Sequence, residues 1–151
     1  MKRNRVIVSA LLVVVLTLAL ASTALASKQL YKARLSPLPG VDSPGRGSAV
    51  VSEQPGSIEY VVGVVRLVGV PTEVHLVSSG GVHMATLCSA TCDDDYDASR
   101  DMYRIEGALT ASNTHVPPGD LIDALRAGQV EVVVFTTAFA GGEVSGLLVP
   151  Q

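Results

Sequence analysis

An all-β fold is predicted by three features of this chain of 151 residues. Valine predominates, aromatic residues are few and tryptophan is absent. Valine is stiff at its first side-chain torsion and packs well on a pleated sheet. Glycine and proline punctuate the chain at short intervals, as turns between short strands require. Finally, apolar residues alternate: in Val130 to Phe135, Val130, Val132 and Val134 face one way while Glu131, Val133 and Phe135 face the other, the two-residue period of a strand.

Ahead of the first strand, Lys2, Arg3 and Arg5 precede an apolar run from Val6 to Leu20, interrupted only by Ser9 and Thr17. Ala24-Leu25-Ala26 follows as a small-x-small cleavage site, so residues 1–26 are expected to be a signal peptide and 27–151 one exported domain. The alternative is a retained anchor, since Val6 to Ala26 is long enough to span a bilayer. No cysteine precedes Cys88, which excludes a lipid anchor on an N-terminal cysteine. Cleavage would remove three of the 11 basic side chains against 14 acidic ones, leaving a net charge of about −6. That balance argues against nucleic acid and against an anionic membrane surface as partners.

The elements follow in order. Leu30 to Leu35 reads as a strand, Ser36 to Gly45 as a proline-extended loop, and Gly47 to Ser52 as a second strand ended by Gln54-Pro-Gly56. Ser57 to Leu67 is apolar on both faces, the pattern of a centrally buried strand. Glu73 to Val77 and Val82 to Cys88 are strands around the turn Ser78 to Gly81, Ser89 to Asp101 is an acidic loop, and Met102 to Thr110 is a strand. One short helix is expected over Asp120 to Ala127, with Asp120 as N-cap, Leu121, Ile122 and Leu125 on one face and Gly128 at its stop. Pro117-Pro-Gly119 is expected to forbid an earlier start. A closing hairpin turns at Gly141-Gly142 and returns over Glu143 to Val149. About eight strands of this spacing predict a Greek-key β-sandwich or barrel, of immunoglobulin-like or superoxide-dismutase-like kind.

From end to end this pattern resembles the CHRD (chordin) domain family. Tyr31 to Ser36, the prolines from Pro37 to Pro44, Gly47 to Val51 and Ile58 to Leu67 follow the family's opening strands and loop. The family's Ala-His-Ile-His motif falls on Val74-His75-Leu76-Val77, and its Leu-x-x-Leu-x-x-Gly helix on Ile122 to Gly128. Its ending, a Tyr-Val-Asn-Val-His-Thr strand and Gly-Gly-Glu-Ile-Arg-Gly-Gln-Leu, falls on Glu131 to Thr136 and Gly141 to Leu148. His75, Gly141, Gly142, Glu143 and Gly146 are kept. Val77, Phe135, Val133, Ser145 and Leu147 stand where the family carries His, His, Asn, Arg and Gln, so its polar cluster is expected to be filled by hydrophobic core. The resemblance implies a secreted, non-catalytic module with a structural or interaction role toward an extracellular or envelope protein. It implies no cofactor.

Four constellations bear on chemistry. Cys88 and Cys92 are the only cysteines, and in an exported chain a disulfide is expected. So short a ring stabilises by about 2 kcal/mol at most. Asp93-Asp-Asp95-Tyr-Asp97 suggests calcium, but the loop template fails at Ala98, where glycine should turn, and at Arg104, where a bidentate Glu belongs. His75, His83 and His115 are potential copper or zinc ligands, but no two are close in sequence. The competing function is therefore a small metal-binding exported protein, holding copper, zinc or calcium through His75 and the 88–101 loop. No hydrolase elbow, Ser-x-x-Lys pair or zinc-protease helix occurs. Glu143 is expected to bond backbone N–H groups at its turn, with a surface position as the alternative.

Overall fold

A computed structural model describes residues 28–90, 92 and 95–151; the expected signal peptide lies outside the described residues. Among the described residues ten strands and one helix succeed one another: β1 Gln29–Pro37, β2 Arg46–Gln54, β3 Ser57–Val65, β4 Pro71–Ser78, β5 His83–Ser89, β6 Tyr96–Asp97, β7 Met102–Leu109, α1 Pro118–Arg126, β8 Val130–Thr136, β9 Val144–Leu147 and β10 Val149–Pro150. All strand pairs are antiparallel, in the order β5-β4-β8-β9-β1-β2-β3-β7-β6, with β10 beside β1. The all-β class is as expected, with the two short strands β6 and β10 added.

This sheet curls into two facing halves, and β1 belongs to both. Its Tyr31 end pairs β10 and its Ser36 end pairs β9. The curl is held at the far side by a segment after β7. There Thr86 N–H donates to the Asn113 carbonyl and His115 N–H donates to the Met84 carbonyl, each at 2.8 Å. Alternation then sends one set of side chains inward: Tyr31, Ala33 and Leu35; Ala49 and Val51; Ile58, Tyr60, Val62 and Val64; Val74 and Leu76; Val130, Val132 and Val134. β3 is central, between β2 and β7, but only one of its faces is buried. Val61, on the other, is 36% exposed. The apolar outer face of β3 thus corrects the expectation of two-sided burial.

Three boundaries differ from those expected. The helix begins at Pro118, capped by Pro117 without any side-chain bond. Proline at the first helical position lacks only an N–H that has no helical acceptor, so it starts the helix instead of forbidding it. Asp120 lies in the first turn and Arg126 in the last, both favourable to the helix dipole. Between β8 and β9 the connection runs through residues 137–143. Gly142 has a φ of +105°, but the turn is wider than a two-residue hairpin. The return strand also breaks at Leu148, which is fully buried and donates its N–H to the Val130 carbonyl. Past it the chain pairs with β1 as β10.

Leu121 and Leu125 bury one face of α1 across the end of the core. The helix is tied down by a polar chain: Arg126 Nη2 donates to Glu53 Oε1 at 2.5 Å, and the Tyr31 hydroxyl donates to Glu53 Oε2 at 2.7 Å. Burial, reinforced by the Glu53 carboxylate, pushes the Tyr31 phenol up to about 12, so it remains a donor at any physiological pH. Tyr31→Phe is expected to lower stability by about 1.5 kcal/mol, the worth of a hydrogen bond to a charged acceptor. A lower urea midpoint with an unchanged slope will show it.

Candidate functional site: a histidine stack on the outer face

Because Val74 and Leu76 point inward, their neighbours Glu73, His75 and Val77 point out. Register extends this outer face across three further strands. His75 pairs with Thr86 on β5 and Val133 on β8, and Val133 pairs with Ser145 on β9. Val77 pairs with His83 and Glu131, and Glu131 with Leu147; Glu73 pairs with Phe135. All five substituted family positions thus lie on one outer face. This corrects the expectation that they fill the core: Phe135 and Val77 are half-buried and Leu147 is exposed. Only Val133 is buried there, under the loop that brings Gly142 and Leu38 over it.

All three histidines of the chain meet on this face. The His75 ring stacks on His83, centroids 4.1 Å apart with 23° between planes. His83 in turn lies 4.3 Å from His115, tilted by 46°, and Phe135 flanks His75 at 4.8 Å. Register shifts in the β4–β5 pairing, between Val74 and His75 and again between Leu76 and Val77, accompany this placement. The loop after β7 delivers His115 through its backbone bond to Met84. Thr86 Oγ1 sits within hydrogen-bonding distance of His83 Nε2 (3.1 Å) and His115 Nε2 (3.0 Å). His75 Nε2 faces Glu73 Oε2 at 3.0 Å. Partial burial holds the His75 pKa below that of a free imidazole, and His83 and His115 add to this. The Glu73 carboxylate opposes it without reversing it.

Sequence spacing leaves the three histidines unconnected, and the structure joins them to one another. Among the described residues no group of three His, Cys, Asp or Glu side chains is placed to hold a metal ion. Stacking gives the reason. A metal binds along a nitrogen lone pair in the plane of its ring; the His75 and His83 planes, stacked 4.1 Å apart, do not direct theirs to one point, and the Nε2 atoms of His83 and His115 meet at the Thr86 hydroxyl instead.

The Gly141-Gly-Glu143 turn has another role. Glu143 is fully buried and every bond to it comes from another segment. Its Oε1 accepts from Ser43 Oγ at 2.5 Å and Val68 N–H at 2.7 Å; its Oε2 accepts from Thr136 Oγ1 at 2.8 Å and Gly69 N–H at 3.4 Å. Burial alone would raise the carboxyl's pKa, but these four donors outweigh it and hold the pKa below the ordinary value. The backbone N–H donors are those of the β3–β4 loop, not of its own turn. Ser43 and Thr136 are partners that no local pattern announces. Around it, Gly142 carries the positive φ, while Gly141 is open to solvent. At Gly146 a Cβ would meet the Arg34 carbonyl of β1.

Cys88 and Cys92 lie within disulfide bonding distance, their Cα atoms 5.6 Å apart. They border an open cleft of about 520 Å³ whose other side is Arg104, Ile105 and Glu106. In the acidic loop, Asp93 and Asp94 lie outside the described residues. Asp97 Oδ1 accepts from the Ser99 N–H and hydroxyl, the bonding of a solvated turn.

A model of the CHRD domain matches residues 22–148, nearly the whole chain. No curated protein and no solved structure gives a significant match.

Proposed function

The chain belongs to the CHRD domain family, and from that premise we propose that it is an exported, non-catalytic module that contacts another extracytoplasmic protein through its histidine face. The single observation that carries this reading is the meeting of His75, His83 and His115, from three separate segments, on one outer face. A shared exposed surface built from distant segments suits recognition better than it suits packing. Three further points support it. The family is one of non-enzymatic modules. The bonding distance between Cys88 and Cys92 suits an oxidising compartment. The Glu143 carboxylate has its oxygens occupied by four donors, an arrangement that builds structure and leaves no role in proton transfer. Among the described residues no helix is long and apolar enough to cross a membrane, and residues 1–26 would direct export and be removed.

The test is in intact cells of an export-competent host. A photo-crosslinking residue replaces His83 in one variant and Lys32, exposed on β1, in another. The expected product lacks residues 1–26 by intact mass and forms a discrete protein adduct from position 83 but not from 32. Equal adducts at both positions, or none at 83, would refute the contact face. Retention of residues 1–26 would refute cleavage.

A further inference from the structure

We propose that the histidine stack is an acid-sensitive latch on the edge of the sheet: protonation releases the segment 110–116 from β5. The inference rests on the contact face proposed above, and concerns its regulation. The segment is a compact unit of its own. Asn113 N–H and Thr114 N–H both donate to the Thr110 carbonyl, and the Thr114 hydroxyl donates there too, at 2.7 Å. Its polar hold on β5 is narrow, two backbone bonds (Thr86 to Asn113 and His115 to Met84) and the His115 side chain, while Val116 at its end packs against the core.

That side chain is wired through one hydroxyl. Thr86 has a single hydroxyl proton and two lone pairs. Bridging two uncharged imidazoles through their Nε2 atoms, it donates to one ring and accepts from the other ring's N–H. His83 and His115 therefore hold opposite tautomers when the stack is neutral. A proton on the accepting Nε2 turns that atom into a donor, and Thr86 must then accept from both rings. A second proton places two charges on rings 4.3 Å apart, and a third would charge His75, 4.1 Å from His83.

The surrounding charges do not offset this. Glu73 on β4 faces His75 and is engaged by it. Glu131 on β8 lies one row further, opposite Val77 and Leu147. β9 carries no titratable side chain, and the closing segment contributes only His115. Of the three rings, His115 alone sits outside the regular strands, so repulsion is relieved by moving its segment. Release frees the Met84 carbonyl and the Thr86 N–H, turning part of β5 into an open edge of the kind that accepts an added strand.

The sign follows from His75. Burial and then His83 hold its pKa below the free value, and His115 adds to this, so a form from which His115 has withdrawn binds the His75 proton more readily. The closed state is therefore favoured at neutral pH and loses ground as pH falls.

Amide hydrogen exchange on the full exported chain tests the latch without any partner, so its result is independent of the crosslinking outcome. Between about pH 7.5 and pH 5, after correction for intrinsic rates, protection of the Thr86 and His115 amides is expected to fall at least tenfold relative to the Leu76 amide. In H83N/H115N the drop should vanish. A drop that persists in that variant, a uniform loss that includes Leu76, or no drop at all would overturn the proposal. Should the double variant fail to fold, titration of the imidazole resonances in the unaltered chain decides. A midpoint shared with the loss of amide protection upholds the latch, and separate midpoints overturn it.

Discussion

Glu143→Ala is expected to destabilise the domain by about 4 kcal/mol, a large share of the 5–15 kcal/mol typical of a folded domain. The substitution removes an acceptor from four donors at once: Ser43 Oγ, Val68 N–H, Thr136 Oγ1 and Gly69 N–H. Hydroxyls can turn to other partners, but the Val68 and Gly69 N–H groups are fixed in direction and partly buried, and each left without an acceptor costs about 1 kcal/mol or more. The loss also reaches far along the chain. Glu143 joins the β1–β2 loop at Ser43, the β3–β4 loop at Val68 and Gly69, and the end of β8 at Thr136. Glu143→Gln retains one carbonyl oxygen but turns an NH2 group toward donors, so about half the effect is expected. Urea unfolding at neutral pH measures both. Acid acts in the same direction: with a folded pKa below its free value, Glu143 contributes stability above about pH 4.5 that is lost as pH falls through the folded pKa. That acid-dependent component should be absent from Glu143→Gln.

Gly146→Ala is expected to cost about 3 kcal/mol, the upper end for overpacking. The added Cβ would overlap the Arg34 carbonyl of β1, and it would also lie 3.0 Å from Leu35 Cδ2. The obstacle is backbone, which a rotamer change cannot relieve. It sits where β9 meets β1 at Ser36 and Ser145, the seam that joins the two halves of the sheet. Gly63→Ala is the matched control. Gly63 also lies within a strand, but its Cβ would meet nothing within 4 Å. A change within about 0.5 kcal/mol is expected there. Equal losses at the two glycines would show that strand glycine content, not the seam, sets the cost.

Glu143 and Gly146 are the part of the site that is legible in the sequence. Their motif picks them out, because a turn and a close backbone approach restrict residue type locally. Their partners carry no such mark. Ser43 is one hundred residues from Glu143, and nothing in its own loop distinguishes it from Ser36 or Ser48. The histidines show the opposite failure. Each stands in an ordinary strand or loop pattern, and their spacing along the chain suggests no relation among them. Chemistry alone assigns Phe135 and Val77 to the core, although their alternation with Val134 and Leu76 places them outward.

Alternation and turn chemistry, both local, determined the strands, the grouping of Val130, Val132 and Val134 on one face, and the helix face of Leu121 and Leu125. A pleated backbone sends neighbouring side chains to opposite sides whatever lies beyond it. Which outward residues meet is a different matter. It depends on strand order, on the register shifts in the β4–β5 pairing, and on the segment that closes the curl against β5. Those are decided only when the whole core packs, since each strand finds its neighbour through the face it buries. The stack of His75, His83 and His115 is therefore a product of tertiary structure, and the carboxylate at its buried counterpart, Glu143, is what holds three of the connecting segments in place.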